Sequence, residues 1–115
     1  MQFPLFQPSS PYWIKYCLSE GCPTIEVQLR DARETIEHIG LHYIDMLKID
    51  TEGCEVEMLK SLQPRLRYVG IVMFEYHSEN DRRFVDRLID GFIPFGARAN
   101  SIGNGTVKYI NRVLL

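Results

Sequence analysis

Two segments constrain this chain more than the rest of it. Tyr43–Asp50 and Tyr68–Tyr76 carry apolar residues on both faces until polar ones enter near their ends. A strand with two apolar sides needs cover on both, which is the condition of a parallel strand inside a layered sheet. Between the two runs Cys54, Met58, Leu59 and Leu62 share one helical face, and Pro64 stops the pattern. Parallel strands need a crossover of this kind, so the pair reads as neighbouring strands joined by a helix.

The remaining elements fit around that unit. Pro4 and Pro8 mark residues 1–9 as irregular. Ser10-Pro11 suits a helix start, with Trp13, Ile14, Cys17 and Leu18 on one face and Gly21 at its end, although the Trp and Tyr content also suits a strand. Ile25–Leu29 alternates with period two and reads as a strand. Asp31 and Glu34 form a capping-box pattern ahead of Ile36 and Ile39, and Gly40 closes that helix. A further helix is expected from a Ser78 or Asn80 cap to Gly91, burying Phe84, Val85, Leu88 and Ile89. Phe92–Arg98 and Thr106–Leu114 read as a hairpin turning at Gly103–Gly105, with Pro94 marking an edge or bulged strand. The sum is an α/β sandwich in which parallel strands are closed by an antiparallel pair. Residues 1–22 form an irregular or short-helical lead-in and 23–115 the domain.

Charge and cysteine usage narrow the function classes. The net charge of −2 gives no field for nucleic acid, although ten acidic and four basic residues in 1–57 face five and nine in 58–115. The longest apolar run, Tyr68–Phe74, is far short of the roughly 20 residues that cross a membrane, so no membrane partner is expected. The N-terminus lacks a basic region leading into an apolar stretch, and three cysteines make no disulfide framework, so a reducing cytoplasm is the expected location.

Polar residues collect at one place. Lys48 and Asp50 alternate onto the same side of their strand, roughly 7 Å apart. Glu75 and His77 share a side of the next strand if it stays regular. Open α/β sheets hold ligands at this C-terminal edge. The plain alternative is a structural ion pair of Lys48 with a carboxylate and a solvated His77. Glu55 falls inside the apolar arc of its helix, so its carboxylate either answers the helix dipole or is aimed into a site. Glu52 and Glu57 read as first-turn and solvent-face charges. Gly53 allows backbone to come close to a ligand. Asn104-Gly105 reads as turn chemistry only. Cys54 has no local histidine to activate it as a nucleophile.

The run Ile44-Asp45-Met46-Leu47-Lys48-Ile49-Asp50-Thr51-Glu52-Gly53-Cys54-Glu55 resembles the D-x-L-K-I-D-x-E-G-x-E signature of FkbM-type methyltransferases. Met58-Leu59-Lys60 and the strand end Phe74-Glu75-Tyr76-His77 are similar to the family's next helix and E-x-H strand end, so the likeness covers roughly residues 24–95. The resemblance implies a class I, Rossmann-like methyltransferase sheet with strands ordered 3-2-1-4-5-7-6, of which this chain resembles the C-terminal half. It implies S-adenosylmethionine as cofactor and transfer of a methyl group to a small-molecule or glycan hydroxyl. In that frame Asp50 positions cofactor or acceptor, His77 or Glu75 takes the proton, Lys48 keeps the carboxylates ionised, and Glu52, Gly53 and Glu55 lie on the substrate side. The family's glycine-rich cofactor loop is absent from these 115 residues. No metal is assigned. The rival readings are a non-catalytic fragment that self-associates or pairs with a separate N-terminal half through an uncovered sheet edge, and a divalent-cation site of Asp50, Glu52 and Glu75.

Overall fold

The computed structural model describes residues 5–6, 13–16 and 25–115. The chain divides into two compact units, Met1–Asp31 and Ala32–Leu115.

In the first unit β1 (Leu5–Phe6), β2 (Trp13–Tyr16) and β3 (Ile25–Gln28) form an antiparallel sheet in that order. Trp13 is opposite Gln28 and Tyr16 opposite Ile25. This corrects the lead-in expected for residues 1–22: Trp13–Tyr16 is extended rather than helical, and Leu5–Phe6 is paired rather than irregular. The cause is tertiary. Trp, Ile and Tyr favour a pleated surface, and the alternating strand Ile25–Gln28 offers them a ladder that a lone helical turn lacks. Ser10, Pro11, Cys17, Gly21 and Cys22 lie outside the described residues.

The second unit runs α1 (Ala32–Ile39), β4 (Ile44–Ile49), α2 (Glu55–Leu62), β5 (Val69–Tyr76), α3 (Glu79–Leu88), β6 (Phe92–Ser101) and β7 (Asn104–Asn111). Its sheet has the order β4-β5-β7-β6, with β4 parallel to β5 and both β5–β7 and β7–β6 antiparallel. The adjacent parallel strands and the antiparallel closing pair are those read from the sequence. Ser78 Oγ accepts the Asp81 N–H at 3.1 Å, so Ser78 rather than Asn80 caps α3.

The core lies between the sheet and its helices. Val72, Phe74 and Tyr76 of β5 and Val107 and Tyr109 of β7 meet Leu59 and Leu62 of α2, Val85 of α3 and Ile89 just beyond it. Phe74, Leu59 and Val85 are fully buried, each contributing about 1.5–3 kcal/mol of transfer free energy. On the other sheet face Ile71, Met73 and Glu75 are only half-buried. β4 is likewise less covered than its apolar run suggests: Ile49 is buried but Met46 is 56% exposed, because β4 is the end strand of the sheet.

Several boundaries differ from expectation, among them the last: the strand read to Leu114 ends at Asn111, and Arg112–Leu114 form a 3-10 turn. Helix α2 starts at Glu55, so Glu52, read as a first-turn charge, precedes it, and Pro64 sits inside a 3-10 turn, Gln63–Tyr68, that carries the chain to β5. The β6–β7 turn is centred on Ile102 and Gly103, not on Gly103–Gly105, with Gly103 in the left-handed region at φ 75°. Gly105 is needed inside the strand, where a Cβ would sit 2.2 Å from the Arg98 carbonyl oxygen and 2.6 Å from the Tyr76 hydroxyl. The register of β6 shifts between Pro94 and Gly96, the irregularity expected of a strand proline. Among the described residues no helix is long and apolar enough to cross a membrane.

Candidate active site

The ends of β4 and β5 bring Asp50, Glu52, Gly53, Glu55, Glu75 and His77 together. The chain leaves β4 at Ile49 and passes through Asp50–Cys54 before α2 begins. In that loop the backbone amides on either side of Glu52 turn toward one carboxylate. Thr51 N donates to Glu55 Oε1 at 2.9 Å, and Gly53 N donates to Oε2 at 3.0 Å and Oε1 at 3.3 Å. Thr51 Oγ1 accepts the Cys54 N–H at 3.2 Å. These bonds hold Glu52 at φ 58° and Gly53 at φ 125°. The left-handed region costs a residue with a side chain about 1–2 kcal/mol relative to glycine, and Glu52 occupies it all the same.

Glu55 is 3% exposed. Besides the two loop amides its Oε1 lies 3.3 Å from His77 Nε2. It therefore acts as a buried strut between the loop and the histidine, which is more than either the helix-dipole role or the substrate-side role read for it. Nε2 of His77 is also 3.8 Å from Glu75 Oε1, and Nδ1 is 3.4 Å from Asn104 Nδ2. The imidazole is thus surrounded by the N-terminus of α2, the end of β5 and the hairpin, with its side chain 28% exposed.

Asp50, Glu52 and Glu75 each offer a carboxylate oxygen within 4.8 Å of the others. Such crowding opposes ionisation. The Glu75 carboxyl is held above its ordinary range, first by its hydrogen bond with Asp50, then by burial and by the Asp50 and Glu52 charges, against which His77 pulls downward. Lys48 is exposed and, among the described residues, makes no ion pair with these carboxylates. The ion pair read for it has no contact behind it. Cys54 is not an activated thiol: burial, then the charges of Glu55 and Glu57, push its pKa up.

Two participants escaped the sequence. Asn104 was legible only as a turn residue, since nothing local signals that a hairpin 27 residues on reaches His77. Thr51 sits inside the signature run, yet its role is to close a backbone loop. A groove of about 870 Å³ between α2 and α3, lined in part by Val56, Lys60, Phe84 and Arg87, meets this loop only at Gly53.

The carboxylates and the imidazole thus gather at the ends of adjacent parallel strands, the edge at which open α/β sheets hold their ligands. The family model of the Methyltransferase FkbM domain matches residues 7–100, more than half of the chain, and the chain belongs to that family. The match starts earlier than residue 24, so it takes in most of the first unit as well. No curated protein and no solved structure matches the chain.

Proposed function

We propose that the chain is the acceptor-side part of an S-adenosylmethionine-dependent O-methyltransferase, working in the cytoplasm on a small-molecule or glycan hydroxyl. The observation that carries this is the convergence of Asp50, Glu52, Glu75 and His77 at the ends of β4 and β5. The order β4-β5-β7-β6 is what a class I, Rossmann-like sheet has in its C-terminal half, which supports the reading. S-adenosylmethionine supplies an electrophilic methyl on a positively charged sulfur. The residues present fit that end of it: three crowded carboxylates, one of them held above its ordinary range, gain from a cation nearby.

Methyl transfer is an in-line displacement, so alignment is the larger part of the work. Asp50 and Glu52, fixed by the loop that Glu55 ties down, orient the donor end and the acceptor hydroxyl. His77 takes the hydroxyl proton, and Glu75 beside it stabilises the imidazolium. Proton removal of this kind contributes roughly 10²–10⁴ in rate. The α2–α3 groove, which meets the loop at Gly53, offers room for the body of a larger acceptor.

The test joins this chain to a segment carrying the family's glycine-rich loop. It follows label from methyl-labelled S-adenosylmethionine to simple glycosides and polyketide alcohols. Transfer that falls at least about tenfold in Asp50→Asn supports the proposal; that loss is about 1.4 kcal/mol of barrier. Cofactor binding without transfer to any acceptor counts against it. A second reading, a non-catalytic fragment that pairs with another chain, draws on the end position of β4, where Tyr43 and Met46 are 48% and 56% exposed. Stable heterodimers without turnover would favour it.

A further inference from the structure

The proton-accepting atom of His77 follows from what surrounds its two ring nitrogens. Nε2 faces Glu55, a buried carboxylate whose two oxygens already accept N–H groups from Thr51 and Gly53. A group in that position acts as an acceptor. A bare Nε2 would set one lone pair against another 3.3 Å away, whereas an Nε2–H donates to Glu55. Nδ1 faces the Asn104 side-chain amide at 3.4 Å, and that NH₂ group can donate only to a lone pair. The two neighbours therefore demand the same tautomer, and they come from separate elements, the first turn of α2 and the start of β7.

We propose that Glu55 and Asn104 are positioning residues that fix His77 as the Nε2–H tautomer, leaving Nδ1, on the hairpin side, as the atom that takes the acceptor's proton. The catalytic part rests on the methyl-transfer reading; the tautomer does not. In the step, the acceptor O–H bond breaks and its proton goes to Nδ1. The freed oxygen pair forms the O–CH₃ bond, and the C–S bond pair returns to sulfur, leaving a neutral thioether. The resulting imidazolium keeps Nε2–H on Glu55, so the charge formed is held by a carboxylate already in place. Asn104 has to yield Nδ1 to the hydroxyl. Its contact is long for a hydrogen bond, as befits a group that gives way.

Gly105 explains why Asn104 can stand there. β7 runs against Tyr76 at Gly105, the one place where a Cβ would strike both Arg98 and Tyr76, and this close approach sets the preceding residue beside His77. The hairpin turn is thereby part of the site.

The test is long-range proton–nitrogen NMR on the 115-residue protein with labelled histidine at pH 8. The expected spectrum shows His77 wholly as Nε2–H, with exposed His38 and His42 as internal references. Glu55→Gln should let the Nδ1–H form of His77 appear, and Asn104→Ala should move the Nδ1 resonance while leaving Nε2–H in place. A His77 that is Nδ1–H or doubly protonated in the wild type overturns the proposal, as does an Nδ1 resonance unmoved by Asn104→Ala. If Glu55→Gln does not fold, the wild-type and Asn104→Ala spectra still decide. No cofactor or acceptor enters this experiment, so its failure is separable from failure of the methyl-transfer assay.

Discussion

Replacing Glu55 by alanine removes a buried carboxylate on which an entire loop depends. Two backbone donors, Thr51 N at 2.9 Å and Gly53 N at 3.0 Å, lose their acceptor, and His77 loses a weaker contact at 3.3 Å. A hydrogen bond to a charged group contributes about 1.5–3 kcal/mol, and a buried donor left without a partner costs a similar amount. Gly53 is exposed, so water recovers part of its bond, and the histidine contact is long. The sum is a loss of roughly 2–3 kcal/mol, large for one substitution. The control is Glu57→Ala in the same turn: Glu57 is exposed and pairs only with Lys60 at 3.2 Å, so it should cost below about 0.5 kcal/mol. Urea unfolding followed by far-ultraviolet circular dichroism measures both. A Glu55→Ala midpoint shift no larger than that of Glu57→Ala, with equal denaturant slopes, would refute the strut.

Glu75→Gln should behave in the opposite sense. A carboxyl whose folded pKa is raised binds its proton more tightly when folded, so its benefit is full below the unfolded value of about 4.3 and is lost as pH rises through the folded one. Gln cannot ionise, so the variant should melt above wild type at pH 7, with the gap closing toward pH 4; a variant that melts lower at pH 7 contradicts the crowding argument. Gly105→Ala forces a Cβ against the Arg98 carbonyl and should cost about 1–3 kcal/mol, read from thermal unfolding, whereas Ala at half-buried Gly96, whose nearest neighbour would be the flexible Lys108 chain at 3.7 Å, should cost less. Equal losses at the two glycines would show that the close approach is not what Gly105 serves. His77→Ala in the completed enzyme should lower turnover by roughly 10²-fold or more with little change in acceptor KM. A KM effect alone would make His77 a binding residue.

What the sequence disclosed and what it hid divide along range. The parallel pair β4 and β5 and the irregularity at Pro94 rest on local patterns and were legible, while the cap of α3 was narrowed to Ser78 or Asn80 and settled by the Asp81 N–H. The strand at Trp13–Tyr16 was not, because its helical spacing and its β-favouring side chains pull apart, and the ladder to Ile25–Gln28 decides between them. Within the site, the strand-end position of Asp50 and Glu75 follows from alternation alone. Glu55 was visible as a carboxylate on the wrong side of a helix, but its partners were not: the Thr51 and Gly53 amides meet it across a loop whose left-handed Glu52 no local pattern announces. Asn104 could not be read, since it reaches His77 through the β5–β7 register and the close fit at Gly105.

The claim on which the rest depends is that the ends of β4 and β5 receive the methyl donor. Titrating S-adenosylmethionine into the isotope-labelled 115-residue protein and mapping the backbone amide shifts tests it directly. Fast-exchange shifts centred on residues 50–53 and 75–78 are expected. Their saturation should be no tighter than about millimolar, because the glycine-rich loop is absent from this sequence. Shifts confined to the α2–α3 groove, or none near Asp50 and His77 at several times that concentration, would contradict it.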